Sequence, residues 1–136
     1  MARKKTLYNP ELGAEGLYTE VWKFELVKVK NITDLPVMNH YWQDTSDKLW
    51  GDFDDPMENV RRSFEAYREH SGYMTPDSIR HLRNQLNMSI SEFADTLGIN
   101  FSSLKQIENN QRVQTGHQEI LFEELKNKWQ GDGNHQ

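Results

Sequence analysis

Between Ser89 and Asn110 the chain starts a helix, stops it and starts another, with hardly a residue between them. Ser89 is an N-cap type, and Glu92, three residues on, completes a capping box. Phe93, Ala94 and Leu97 then recur on one helical face, and Gly98 ends the run, since glycine accepts the left-handed backbone that closes a helix. Ile99 follows as an apolar plug, and Asn100 caps a second helix whose Leu104 and Ile107 face inward. Asn109-Asn110, a pair tolerant of the left-handed region, ends it. Two short helices are thus joined by a tight turn, which Gly98 permits, and Ala94 is small where the second helix must approach closely.

More helices flank this pair. Thr75-Pro76 is a cap followed by proline at the first helical position, and Ile79, Leu82 and Leu86 mark the buried face behind it. Residues 118–129 carry Ile120, Leu121, Leu125 and Trp129. Upstream, Asp55, Pro56 and Glu58 predict the start of a helix over 56–70, with Met57, Val60, Phe64 and Tyr67 as its stripe and Gly72 as its stop.

The first third of the chain has a different period. In residues 21–30, Trp22, Phe24 and Leu26 alternate with Lys23 and Glu25, a strand pattern. Asn31–Asp34 is turn chemistry, and residues 35–42 (LPVMNHYW) predict a second strand, giving an antiparallel hairpin. Two strands alone are marginal, so Trp22, Phe24 and Trp42 need a cover or a partner. Residues 6–16 carry one proline and two glycines and read as loop, as does the polar, acidic stretch 43–55. The expected fold class is α+β. A small N-terminal β-hairpin or sheet module spans residues 1–54, a linking helix 55–72, an all-α helix-turn-helix domain 73–130, and a frayed tail 131–136.

Composition narrows the functions. The chain has no cysteine, which removes disulfides and thiolate metal sites. Its five histidines (His40, His70, His81, His117, His135) are scattered without helical ligand spacing and read as surface residues. The acids of residues 44–58 lack the glycine and terminal glutamate of a calcium loop. No glycine-rich phosphate loop and no nucleophile elbow is present. The expectation is therefore no enzyme, no catalytic residue, no cofactor and no metal. No apolar stretch approaches the ~20 residues of a membrane span, and a cytoplasmic location is expected. The basic start, MARKK, reads as a solvated tail, with an arm that touches phosphate as the alternative.

The spacing of the capped pair is that of a helix-turn-helix, whose second helix enters the major groove. Burying Leu104 and Ile107 leaves Ser102, Ser103, Lys105, Gln106 and Asn109 on the outer side. Gln and Asn can pair bidentately with adenine, and Ser can meet any base edge. Lys105, Arg112 and backbone N–H groups near Asn100 are candidates for phosphate. Charge argues the other way. The whole chain carries −5, and residues 73–136 hold six Lys+Arg against eight Asp+Glu, a net of −2, where groove binders are normally basic.

The stretch YMTPDSIRHLRNQLNMSISEFADTLGINFSSLKQIENNQRVQT resembles the XRE-type helix-turn-helix of phage repressors and antitoxins, and most nearly the MqsA antitoxin family. There, a helix ending in a phrase similar to AYREHSG leads into a domain opened by Thr-Pro. The resemblance covers residues 56–115. It implies an N-terminal β-rich module followed by a DNA-binding domain that dimerises. Such N-terminal modules are typically zinc ribbons with two Cys-x-x-Cys pairs. This chain has none, so no zinc is expected, and aromatic packing of Trp22, Phe24, Tyr41 and Trp42 should hold the hairpin. Ile90 stands where the family carries Gln, and an exposed Ile there favours a protein contact or a looser grip on DNA.

The expected function is a sequence-specific DNA-binding regulator, repressor or antitoxin-like, acting on double-stranded DNA as a homodimer. Asn100, Ser102, Ser103, Lys105, Gln106, Asn109 and Arg112 would touch DNA, while Trp22, Phe24 and Trp42 would meet a toxin or another protein. The dimer would form through Val60, Phe64 and Tyr67, or through Ile120, Leu121 and Trp129. The alternative is a phage-type inhibitor or antirepressor that uses the same scaffold for protein interaction.

Overall fold

The structure, a computed structural model, describes residues 2–131, and the tail expected from residue 131 onward lies, past Gly131, outside the described residues. The chain divides into two compact units that part between Tyr67 and Arg68. The α+β class is as expected.

The first unit is a four-stranded antiparallel meander in the order β1 (Lys4–Asn9), β2 (Ala14–Val29), β3 (Ile32–Gln43) and β4 (Leu49–Trp50). The predicted hairpin is its centre. Residues 6–16, read as loop, instead supply β1 and the start of β2. Pro10 and Gly13 sit in the short connection, not in a long excursion. The buried Asn9 builds that connection, its side-chain oxygen accepting from the Glu11 N–H at 2.9 Å and the Leu12 N–H at 3.3 Å. Gly13 closes it at φ +64°, where a side chain would be strained. Likewise the stretch 43–55 is not all loop, because Leu49 and Trp50 pair with Gln43 and Trp42.

The β2–β3 register places Trp22 opposite His40, Phe24 opposite Met38 and Leu26 opposite Pro36. Opposed residues share a face, and this face has two fates. Towards one end, Tyr18 and Trp42 are buried. Phe53 meets Tyr18 edge-on at 5.3 Å, and the Trp42 indole N–H donates to Asp52 at 3.2 Å. Towards the other end, Phe24, Leu26 and Met38 stay exposed. The expected aromatic cluster is therefore split: Trp42 is core, while Trp22 and Phe24 are surface.

Helix α1 (Glu58–Ser71) starts after a turn at Asp55, not at Pro56 as the capping signal suggested. The Asp55 carboxylate goes to Arg61, so it does not cap. In its first turn the Asn59 side chain acts like a piece of strand. It accepts from the His40 N–H and donates to the His40 carbonyl, both at 2.9 Å, satisfying the open edge of β3.

The second unit holds α2 (Pro76–Gln85), α3 (Ile90–Leu97), α4 (Phe101–Glu108) and α5 (Gly116–Gly131). The local signals hold. Thr75 caps α2, Ser89 and Glu92 form the capping box of α3, Gly98 turns left-handed at φ +70°, and Asn100 caps α4. Ile79, Leu82, Phe93, Leu104, Ile107 and Phe122 form the centre of the core. Each such side chain gains ~1.5–3 kcal/mol on full burial. Ile90, expected to be exposed, is half-buried and packs on this core. Of the expected dimer residues, Tyr67 is buried and Leu121 packs on the core, whereas Val60 and Ile120 are exposed. No helix among the described residues is long and apolar enough to cross a membrane.

Candidate nucleic-acid interface

Helix α4 shows how the candidate residues are presented. Leu104 and Ile107 are fully buried, which aims the opposite side at solvent. Ser102, Lys105 and Asn109 are exposed there, and Ser103 and Gln106 are half-buried beside them. Phe101, at the start of the helix, is also exposed. Asn100 spends its carboxamide oxygen on capping, accepting from the Ser102 N–H at 2.9 Å and the Ser103 N–H at 3.3 Å. Those two amides, proposed from sequence as phosphate donors, are thus already engaged. Arg112 lies beyond α4 but reaches back, its guanidinium donating to Ser103 Oγ at 3.0 Å. The structure therefore brings Ser102, Ser103, Lys105, Gln106, Asn109 and Arg112 together on or beside one helix face.

The one acidic residue of α4 faces the other way. Glu108 is buried, and Arg83 of α2 meets it as a fork: Nε donates to Oε2 at 2.9 Å and Nη2 to Oε1 at 3.0 Å. Arg83 also donates to the Met88 carbonyl at 3.1 Å, and Arg80 donates to the Glu108 carbonyl. This ties the back of α4 to α2. Sequence reasoning missed the pair, although a signal existed: Glu108 sits four residues after Leu104, on the inward stripe.

A second buried polar group fixes the segment after α4. Arg68, almost wholly buried, donates to Gln114 Oε1 at 3.0 Å, to the Arg112 carbonyl at 2.8 Å and to the Asn110 side chain. Gln114 passes the network on, donating to the Met74 carbonyl at 2.8 Å and to Glu119 at 2.9 Å. Burial raises the Glu119 carboxyl above its ordinary value, against the pull of the Gln114 hydrogen bond. The left-handed Asn110 (φ +57°) is thus held from behind, and so is the backbone that carries Arg112.

These contacts bear on the net charge of the second unit. Glu108 and Glu119 are turned inward, Asp77 pairs with Arg80, and Glu92 is occupied by the Ser89 cap. The Ser89 backbone N–H, then its hydroxyl, hold Glu92 below the usual carboxylate range. The outward side of α4 itself bears a lysine and no acid.

A separate cluster lies in the first unit. His40, expected on the surface, is buried between two carboxylates: Glu58 lies 2.8 Å from Nδ1 and Glu20 lies 2.8 Å from Nε2. His40, Asp52 and Glu58 bring ligand-type atoms within 4.8 Å of one another. Both ring nitrogens already face carboxylates, and Asp52 accepts from Trp42, so each of the three groups has a partner within the chain. The cluster is a hydrogen-bonded brace that joins β2, β3 and α1. The His40 bond holds the Glu20 carboxyl low.

Residues 79–117 match the helix-turn-helix family model. That segment is a helix-turn-helix of the XRE type, the scaffold of DNA-binding regulators. The match begins at Ile79, the first fully buried residue of α2, and ends just inside α5. It therefore spans α2, the capped pair and the Arg68-held segment. Comparisons with curated proteins and with solved structures find no match. Within the helix-turn-helix, α4 occupies the place of the groove-entering helix.

Proposed function

We propose that the protein is a sequence-specific repressor that docks α4 in the major groove and binds as a homodimer. One observation carries the reading: α4 turns its only acid into a buried ion pair and presents Ser102, Lys105, Gln106 and Asn109 outward. Gln106 and Asn109 have the carboxamides that adenine recognition needs, and Lys105 and Arg112 would meet phosphate. A repressor with so few cations depends on a second half-site for affinity, which is the physical reason for proposing a dimer.

Selection from a random duplex library followed by fluorescence anisotropy tests this. The selected site should bind with affinity that falls steeply as salt rises. Gln106→Ala should weaken binding by ~1–3 kcal/mol and relax the preference at one base pair. If library selection yields no preferred sequence, or if Gln106→Ala changes neither affinity nor preference, α4 is not the reading element.

The N-terminal sheet favours a second role beside the first. Its exposed Trp22, Phe24, Leu26 and Met38 suit protein contact better than any nucleic acid. In the proposed function this unit is the platform on which the regulator meets another protein chain. The antitoxin-like version would place a toxin there.

A further inference from the structure

We infer that the exposed half of the β2–β3 face is the homodimer contact, and that its occupant is a second copy of this chain. This rests on the platform reading above and names its partner. Phe24 and Met38 are directly opposed, as are Leu26 and Pro36, so four apolar side chains form a two-by-two block, with Trp22 next in line. Phe24 and Leu26 are more than 60 % exposed, and Trp22 and Met38 about half. Trp22 is held upright from two sides: the His40 ring lies 4.5 Å away and the Arg62 guanidinium 4.7 Å from its ring centre. Trp22 is therefore held in place at one end of the block, which lowers the entropy it loses on contact.

Area and charge both point to self-association. With aromatic side chains of ~150–250 Å², the block leaves roughly 400 Å² of apolar surface in water, within the range that usually marks a functional patch. A standard interface takes ~800 Å² from each partner, a little over half of it apolar. One copy of the block is thus about the apolar share of one side of a stable dimer. The chain carries −5, so most of its surfaces repel a second copy. The side chains of Trp22, Phe24, Leu26, Pro36 and Met38 are themselves uncharged, and Lys23 and Glu25 alternate onto the other face, while charge comes to the Trp22 end of the block from Glu20 and Arg62. A two-fold axis near the Phe24–Met38 pair would lay each copy's Phe24 on the other's Met38, a favourable ring–sulfur contact. Among the described residues of the helix-turn-helix unit, the exposed large apolar residues are Phe101, at the start of α4, and Ile120, on α5.

The test is the molar mass of the full chain, free of DNA, by light scattering and sedimentation at tens of micromolar. The wild type should run at twice the chain mass. Phe24→Asp and Met38→Glu should each raise the dimer dissociation constant at least 100-fold, with unchanged far-UV circular dichroism. Ile120→Asp, on α5, should leave the dimer intact. A monomeric wild type overturns the inference, even if that monomer binds an unrelated protein through Phe24. So does a dimer that Ile120→Asp disperses and Phe24→Asp does not. Either result leaves α4 standing as the reading element, which Gln106→Ala on the selected site tests separately, while a monomeric wild type also removes the homodimer from the proposed function.

Discussion

Replacing Glu108 with Gln should cost ~3–5 kcal/mol of stability, because it strips one partner from a buried, forked ion pair. The geometry sets the size. Glu108 is 2 % exposed and Arg83 makes two charge-assisted bonds to it at 2.9 and 3.0 Å. A carboxamide of the same shape can accept only one of them, and its NH2 group would face an Arg83 N–H. The guanidinium is then left poorly solvated, with the carboxamide oxygen and the Met88 carbonyl as its remaining acceptors. Urea unfolding followed by helical circular dichroism measures the loss. In a unit of this size the thermal midpoint should fall by at least ~12 °C. The companion variant, Arg83→Met with Glu108→Leu, should recover most of the stability, since removing both charges also removes their desolvation cost. The reasoning fails if Glu108→Gln alone costs under ~1 kcal/mol, or if the double variant is less stable than the single one. DNA affinity offers a second readout. Glu108 anchors the back of α4, so a correctly folded Glu108→Gln at low temperature should still bind DNA with an unchanged preference.

Two further outcomes follow from single features. Gly98→Ala should cost ~1–2 kcal/mol in urea unfolding purely through its left-handed backbone, since a Cβ there meets nothing within 4 Å. A negligible loss would mean that the α3–α4 turn relaxes away from φ +70°. Asp44 sets part of the acid limit of the N-terminal sheet. The Trp50 indole N–H, then the Ser46 hydroxyl and nearby backbone amides, hold its carboxyl at about 2 against an ordinary 3.8. The folded value lies below the unfolded one, so the stability it gives is complete above the ordinary value and lost as pH falls towards about 2. Tryptophan fluorescence across that window should show Asp44→Asn flattening the acid limb, and an unchanged limb would remove Asp44 from the explanation.

Local chemistry was enough to set out the helix-turn-helix. Thr75, Ser89, Glu92, Gly98 and Asn100 act within three or four residues of themselves, so their caps and stops could be read in order along the chain. The apolar positions at helical spacing likewise named Ile79, Leu82, Phe93, Leu104 and Ile107 as core. The outward side of α4 followed by subtraction.

What needed the tertiary structure was everything set by residues distant in sequence. β1 has no strong alternation of its own, and it becomes a strand by pairing with the long β2. His40 looked like a surface histidine until Glu20 and Glu58 came to either side of it. Trp42 and Trp22 have the same side chain and lie on one face, yet Phe53 and Asp52 come over one end of that face, while Trp22, Phe24 and Leu26 at the other end stay exposed. Glu108, though on the inward stripe of α4, is a charge without a local partner, and Arg83, Arg68 and Gln114 are polar residues that composition assigns to water. Only a fold that brings each to its partner can bury a charge without leaving it alone, and that is a long-range condition no stretch of sequence can state by itself.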